Sequence, residues 1–142
     1  MLERNNAMAA TGSLKNYKIL IVDDDPDLQE YLRAGLDPYF SLVMIATTAE
    51  EAKSVIGGLC KFDAIICDFQ LPDSDGLKVY QWIREEKEMA TPFLMISGYS
   101  PLVPEGDSAF DFLAKPFHPQ QLIGQIKKLL DQAAHRATSS AS

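Results

Sequence analysis

The fold is decided by residues 17–26, which read Tyr-Lys-Ile-Leu-Ile-Val-Asp-Asp-Asp-Pro. The first six of these residues are mostly apolar, aromatic or β-branched, which is typical of a strand. The run stops at three aspartates. Pro26 suits the first position of a helix, and Asp25 is a good N-cap because its side chain can accept a hydrogen bond from the first turn. A strand that passes directly into a helix predicts a β-α unit of a parallel sheet.

The same alternation recurs along the chain. Further strand candidates are residues 42–46, 64–67, 93–96 and 110–114, and helical patterns lie between or after most of them. Nearly continuous apolar strands separated by helices indicate a parallel sheet that is covered on both faces. We therefore predict the α/β class, with a flavodoxin-like, doubly wound, five-stranded sheet in the order 2-1-3-4-5.

The interval between the fourth and fifth strands departs from this regular pattern. It contains Pro101, Pro104 and Gly106 and no clear amphipathic period. A proline in a helix interior costs about 3 kcal/mol. We expect the fourth helix to be short, irregular or replaced by a loop.

The chain has 142 residues, which fits one domain with tails. We predict a disordered tail over residues 1–15, a domain over 16–134 and a second disordered tail over 135–142. No apolar run approaches the roughly 20 residues that span a bilayer, and residues 1–16 lack the apolar core of a secretory signal. These features favour a cytoplasmic location without a membrane partner.

Composition limits the partners and the redox setting further. Cys60 and Cys67 have no metal-ligand spacing with nearby histidines, so a disulfide framework or zinc site is not predicted. The formal net charge of −7 argues against direct binding of nucleic acid, because such affinity depends on neutralising phosphates.

Polar side chains stand where the predicted strands end. The first strand is followed by Asp23 and Asp24, the third by Asp68, the fourth by Ser97 and the fifth by Lys115. The carboxyl ends of parallel strands share one edge of the sheet, where open α/β sheets bind ligands. Three carboxylates, a hydroxyl and an ammonium are therefore expected to meet.

This set of groups suits phosphoryl transfer to a carboxylate. Clustered carboxylates repel one another, and a hard divalent cation such as Mg²⁺ (or Mn²⁺) relieves that repulsion. Asp68 could then stay ionised and act as the nucleophile in aspartyl-phosphate chemistry. Lys115 and Ser97 would neutralise and hold the phosphoryl oxygens.

The chain resembles the response-regulator receiver domains of two-component signalling over roughly residues 16–134. The motifs that carry the resemblance are residues 19–26 (ILIVDDDP), 65–76 (IICDFQLPDSDG), 95–98 (MISG) and 112–117 (FLAKPF). The resemblance implies that Asp68 is the phosphoacceptor. It implies a metal site of Asp23, Asp24, Asp68 and the backbone carbonyl of Gln70, with Asp24 a more direct ligand than Asp23.

The resemblance also implies a switch and partners. Ser97 and Lys115 match the residues that contact the phosphoryl group, and Phe112 falls where the family's switching aromatic lies. A histidine kinase or histidine phosphotransfer protein would donate the phosphoryl group, and an unknown output protein or domain would read it. The chain would then be no enzyme beyond its own phosphorylation and dephosphorylation.

Plainer interpretations of the same residues stay open. Asp23 and Asp24 could simply terminate a strand, Ser97 could be a strand-end hydroxyl, Lys115 a solvated charge, and Phe112 an ordinary core residue.

Two other functions are also open. A phosphohydrolase of the haloacid-dehalogenase type would use Asp68 too, but it needs a general acid two residues later, where Gln70 stands. A flavin carrier would place a phosphate beside residues 23–25, whose charges repel it.

Overall fold

The computed structural model describes residues 14–98 and 104–141. Its sheet has five parallel strands in the order β2-β1-β3-β4-β5. The strands are β1 Lys18–Val22, β2 Leu42–Ala46, β3 Ala64–Asp68, β4 Phe93–Ser97 and β5 Phe110–Ala114. The predicted fold class and strand order are confirmed.

The helices follow the strands in sequence. They are α1 Pro26–Leu36, α2 Ala49–Ile56, α3 Gly76–Gln81 and α4 Pro119–Ala141, with a 3-10 turn at Leu14–Asn16 before β1 and a π-helical turn at Trp82–Glu86 after α3. Within the described ranges, no helix is both long enough and apolar enough to cross a membrane.

Local capping sets where α1 and α2 begin. Asp25 accepts a hydrogen bond from the Asp27 N–H at 3.0 Å, and Pro26 follows it, as predicted. Thr48 accepts one from the Glu51 N–H at 3.0 Å. The Glu51 side chain reaches back to the N–H of Thr47, one residue before the cap, so the first turn of α2 is satisfied from both sides.

Alternate residues of each strand enter two separate cores, because successive side chains point to opposite faces of a sheet. Ile19, Ile21 and Ile66 pack on one face against the apolar sides of α1 and α4. Leu20 and Ile65 pack on the other face with α2 and α3. This two-sided burial leaves the strand ends as the place where polar side chains can gather.

The α-helical part of the third helix is short and ends at Gln81. After Gln81 the chain widens into the π-helical turn, in which the Lys87 N–H donates to the Trp82 carbonyl at 3.1 Å. Arg84 Nη1 donates to the carbonyl of Met89 at 2.9 Å, and Glu88 has a positive φ of 52°. Both hydrogen bonds join residues five positions apart, a spacing that the i to i+4 pattern of an α-helix does not predict.

The described backbone extends beyond the predicted domain, residues 16–134, at both ends. Leu14, inside the predicted tail 1–15, is only 3% exposed, and its carbonyl accepts from the Tyr17 N–H at 3.0 Å. Residues 1–13 lie outside the described part. At the other end, α4 runs to Ala141, past residue 134, where a disordered tail was predicted to follow. Ala137 and Ala141 in this stretch are good helix formers, which is compatible with continuing the helix.

The interval between β4 and β5 has no helix over residues 104–109, which agrees with the prediction of a short or irregular element. Residues 99–103 lie outside the described part. Asp107 anchors the described piece, because its carboxylate accepts hydrogen bonds from the Tyr80 hydroxyl and from Arg84 Nε, the latter at 2.8 Å. An ion pair therefore fastens this loop to α3 and its π-helical turn.

Candidate functional site

The carboxyl ends of the strands bring the predicted acidic residues together. One carboxylate oxygen from each of Asp23, Asp24 and Asp68 lies within 4.8 Å of the others. Lys115 Nζ stands 3.1 Å from Asp68 Oδ2 and 3.8 Å from Asp23 Oδ2. Residues up to 92 positions apart in sequence thus form one charged cluster at the rim of the sheet.

Asp23 is the most deeply buried of these acids. Its side chain is fully buried, and Oδ1 accepts a hydrogen bond from the Asp25 N–H at 2.8 Å. Oδ2 accepts no hydrogen bond from the described atoms. Burial raises the pKa of Asp23 to about 6, the Asp25 N–H opposes the rise, and the charge of Asp68 adds to it. A buried oxygen without a donor, beside two more carboxylates, fits a divalent cation.

Asp68 closes β3 and faces the rim. It is 8% exposed, and Oδ1 accepts the Gln70 N–H at 3.3 Å while Oδ2 faces Lys115. The next peptide continues the sheet pairing, since the Phe69 N–H donates to the Ile96 carbonyl at 2.9 Å. The carboxylate is thus held by the sheet on one side and still reachable from solvent on the other.

Ser97 and Lys115 end the two neighbouring strands. Ser97 is 2% exposed, and its carbonyl accepts the Lys115 N–H at 2.8 Å. The Lys115–Pro116 peptide bond is cis. The lysine ammonium reaches the acids from β5, while the Ser97 backbone belongs to β4, between β3 and β5.

Phe112 lies on the same face of the sheet as Ser97. It pairs in register with Met95, and Ser97 pairs with Ala114, so the two are diagonal neighbours across β4 and β5. Phe112 is half-buried and belongs to neither hydrophobic core. This placement differs from that of an ordinary core aromatic.

The loop after Asp68 depends on a glycine. Gly76 is buried and its N–H donates to the Phe69 carbonyl at 2.7 Å. A Cβ at this position would stand 2.6 Å from the Asp68 carbonyl oxygen and 3.2 Å from Phe69 Cα. The sequence carries no signal of interatomic distance, so this close approach at Gly76 was not predicted.

Gln29 is a second residue that the sequence did not single out. Its Nε2 donates to the main-chain carbonyl of Asp23 and lies 3.4 Å from Thr47 Oγ1. It thereby holds the turn that carries Asp23 and Asp24 against the start of α2. A glutamine one turn into a helix gives no local hint of such a contact.

Three aspartates serve structure in the adjoining elements. Asp75 caps α3 by accepting the Lys78 N–H at 2.8 Å. Asp73 accepts the N–H groups of Ala49 and Glu50 at 2.9 and 3.0 Å, and these bonds lower its pKa. Asp63 accepts the Lys18 N–H at 2.8 Å at the opposite end of β1.

Comparison with known proteins identifies a family that the chain matches. The family model described as the response regulator receiver domain matches residues 19–127. The chain is 33% identical over 131 residues to the transcriptional regulatory protein GltR of Pseudomonas aeruginosa, covering 85% of this chain and 52% of that protein. It is 32% identical over 130 residues to ResD of Bacillus subtilis, covering 88% and 52%. The chain thus spans about half the length of these curated relatives.

Solved structures show the same architecture. A CheY-like response regulator receiver domain protein from Methanospirillum hungatei is similar with a TM-score of 0.73 and 28% identity, over 84% of this chain and 98% of that one. The chemotaxis response regulator CheY4 of Vibrio cholerae gives a TM-score of 0.68 and 26% identity, over 80% and 98%. With this sheet order and a family match over most of its length, the chain belongs to the response regulator receiver domains of two-component systems.

Proposed function

We propose that Asp68 accepts a phosphoryl group from a histidine of a kinase or of a histidine phosphotransfer protein. The observation that carries this proposal is that Lys115 Nζ lies 3.1 Å from Asp68 Oδ2, beside the buried Asp23 Oδ2, which accepts no hydrogen bond from the described atoms. Family membership supports the signalling role. In this reaction the phosphorus–nitrogen bond breaks as an Asp68 oxygen forms the new phosphorus–oxygen bond.

The residues around Asp68 fit a bound Mg²⁺ or Mn²⁺. Asp23, Asp24 and Asp68 would supply carboxylate oxygens and Gln70 its backbone carbonyl. When bound, the cation supplies positive charge that offsets the carboxylates and the phosphoryl oxygens. In this proposal Asp24, which is exposed, is a more direct ligand than the buried Asp23.

The chain's own residues would hold the phosphoryl group in place. The Lys115 side chain, 30% exposed, would exchange its contact with the Asp68 carboxylate for a phosphoryl oxygen. The Ser97 hydroxyl would donate to another oxygen. Because Phe112 is the diagonal neighbour of Ser97, a shift of Ser97 toward the phosphoryl group would alter the packing of Phe112 and so switch a downstream partner.

A groove beside the acids suits the approach of the phosphodonor. It has a volume of about 330 Å³ and is lined by Asp25, Leu28, Tyr31, Lys115, Pro116 and Phe117. Tyr31 is 46% exposed, so its ring is accessible to a partner at this groove. In this proposal the receiver works in the cytoplasm, contacts no nucleic acid itself, and acts through an output protein or domain of unknown identity.

The phosphohydrolase alternative is not favoured. A general acid two residues after the nucleophile would have to be Gln70, whose amide does not give up a proton in this role. The matched family and the similar structures are receivers. The proposed chemistry is therefore confined to phosphorylation and dephosphorylation of the chain itself.

Intact-protein mass spectrometry after treatment with acetyl phosphate tests the proposal. We expect one phosphoryl group per chain in Mg²⁺, none with a chelator, and none in Asp68→Asn. Modification that persists in Asp68→Asn would contradict the assigned acceptor. In the same samples, continuous release of nitrophenol from nitrophenyl phosphate would favour the phosphohydrolase instead.

A further inference from the structure

Asp73 makes a tertiary contact from the loop that follows Asp68. Its two carboxylate oxygens accept the N–H groups of Ala49 and Glu50, the first two residues of α2, at 2.9 and 3.0 Å. The bonded residues lie 24 and 23 positions earlier in the chain. Asp73 therefore ties the β3–α3 loop, residues 69–75, to a separate helix.

Helix α2 has its own cap and does not depend on Asp73 to begin. Thr48 accepts the Glu51 N–H, and Glu51 accepts the N–H of Thr47. Asp73 and Glu50 are exposed, so water would serve as acceptor for the Glu50 N–H in the absence of Asp73. The contact contributes a fixed spacing between the loop and α2.

Hydrogen bonds within the rest of the loop connect Asp73 to the acidic cluster. Gln70 pairs with Asp75 in an antiparallel bridge, and the Leu71 N–H donates to the Ser74 carbonyl at 3.2 Å. The loop therefore folds back on itself with Asp73 near its tip. At its base, the Gln70 N–H donates to Asp68 Oδ1 at 3.3 Å.

The start of α2 also contacts the other side of the cluster. Thr47 Oγ1 lies 3.4 Å from Gln29 Nε2, which donates to the Asp23 carbonyl. The β1–α1 turn, the start of α2 and the β3–α3 loop are thus linked around the acids. Asp73 supplies the two hydrogen bonds that join the loop to the start of α2.

We propose that Asp73 is a positioning residue for the metal site. By tying the β3–α3 loop to α2, it holds Gln70 so that its backbone and the Asp68 carboxylate face the cation together. This inference rests on the proposed function, since it assumes that Gln70 and Asp68 are metal ligands. Asp73 itself does not touch the cation.

Comparing Asp73→Ala with Thr48→Ala separates positioning from helix stability. Both variants remove acceptors from the first turn of α2, but Thr48→Ala leaves the tie to the loop in place. Hydrogen exchange of the Gln70 and Leu71 amides is measured without metal. The affinity for Mn²⁺ alone is measured by calorimetry, and thermal unfolding is recorded for both variants.

We expect Asp73→Ala to speed exchange of both amides and to weaken Mn²⁺ binding about 10-fold, the size typical of residues that orient metal ligands. Thr48→Ala should lower the melting temperature without either effect. Asp73→Asn, which keeps one acceptor oxygen, should fall between Asp73→Ala and the parent.

Two results would overturn the positioning role: parent-like exchange and affinity in Asp73→Ala, or equal weakening of Mn²⁺ binding in Thr48→Ala. A parent that binds no Mn²⁺ would instead overturn the metal site of the proposed function, and the positioning role with it. The failure of the inference alone and the failure of the function are therefore distinguishable.

Discussion

At the scale of single residues, Asp23 is an ionisable side chain in a fully buried position, where burial opposes its charged form. Its side chain is fully enclosed, one of its oxygens accepts no hydrogen bond from the described atoms, and burial raises its pKa to about 6. A carboxylate kept in such a place without a cation costs stability whenever it is ionised. Lys115 offsets part of this charge, and the remaining negative charge is compatible with the proposed cation.

This conflict predicts a pH dependence in metal-free protein. The folded pKa of about 6 lies above the ordinary aspartate pKa of 3.8, so between these values the folded state binds more protons than the unfolded state. The free energy of unfolding should therefore fall as the pH rises from about 4 to 6, by at most about 3 kcal/mol, and then level off. Urea unfolding at several pH values with a chelator measures it. In Asp23→Asn the free energy of unfolding should fall less over this pH range. A parent protein whose free energy of unfolding does not fall would contradict the raised pKa of Asp23.

The role of Gly76, in contrast, is steric. In Gly76→Ala the new Cβ would stand 2.6 Å from the Asp68 carbonyl oxygen, so the backbone beside the acceptor must move. We expect the free energy of unfolding to drop by about 2 kcal/mol and phosphorylation by acetyl phosphate to slow.

Gly124→Ala is the matched control for Gly76→Ala. A Cβ at Gly124 meets nothing within 4 Å, and the residue lies inside α4. This change should leave phosphorylation unaltered and stabilise the helix by up to about 1 kcal/mol. Equal effects of the two substitutions would rule out the steric explanation.

At the scale of elements, the described part of the β4–β5 interval is held by an ion-pair network in place of a helix. Asp107 accepts from Tyr80, from Arg84 and from the Ala109 N–H. Burial opposes ionisation of Asp107, but the bonds from Tyr80 and Arg84 outweigh it and lower its pKa. Arg84 also lies over the Tyr80 ring at 4.9 Å.

Removing the carboxylate tests how far this network stabilises the segment. In Asp107→Ala the partly buried Arg84 and the Tyr80 hydroxyl lose their acceptor, so the free energy of unfolding should decrease by about 2 kcal/mol. Tyr80→Phe removes a single donor and should cost about 1 kcal/mol. Urea denaturation measures both. A change in Asp107→Ala no larger than that in Tyr80→Phe would show that the ion pair contributes little.

At the scale of the whole molecule, a metal ion bound at the proposed site would couple metal binding to folding. The cluster joins residues that follow β1 and β3, so unfolding separates its members. Mg²⁺ at 100 times its dissociation constant should raise the free energy of unfolding by about 2.7 kcal/mol. Thermal unfolding with Mg²⁺ and with a chelator measures this shift. The double variant Asp23→Asn, Asp24→Asn should lose it, and an equal shift in that variant would place the metal elsewhere.

The sequence by itself determined the strands, their order and the positions that meet at the rim. Apolar runs specify strands, and parallel topology then brings their carboxyl ends to one edge, so Asp23, Asp68 and Lys115 could be placed together without a structure. The caps at Asp25 and Thr48 were also predictable, but for a different reason: their hydrogen-bond partners lie within a few residues in the sequence.

Only the tertiary structure decided which residues of different elements contact one another. The close approach at Gly76, the tie from Asp73 to α2, the Gln29 contact with Asp23 and the Asp107 network all join groups that local sequence does not relate. The physical reason is that each depends on ångström-scale spacing between packed elements. That spacing is set by the side chains of both cores together, whereas strand and helix patterns are set by near neighbours.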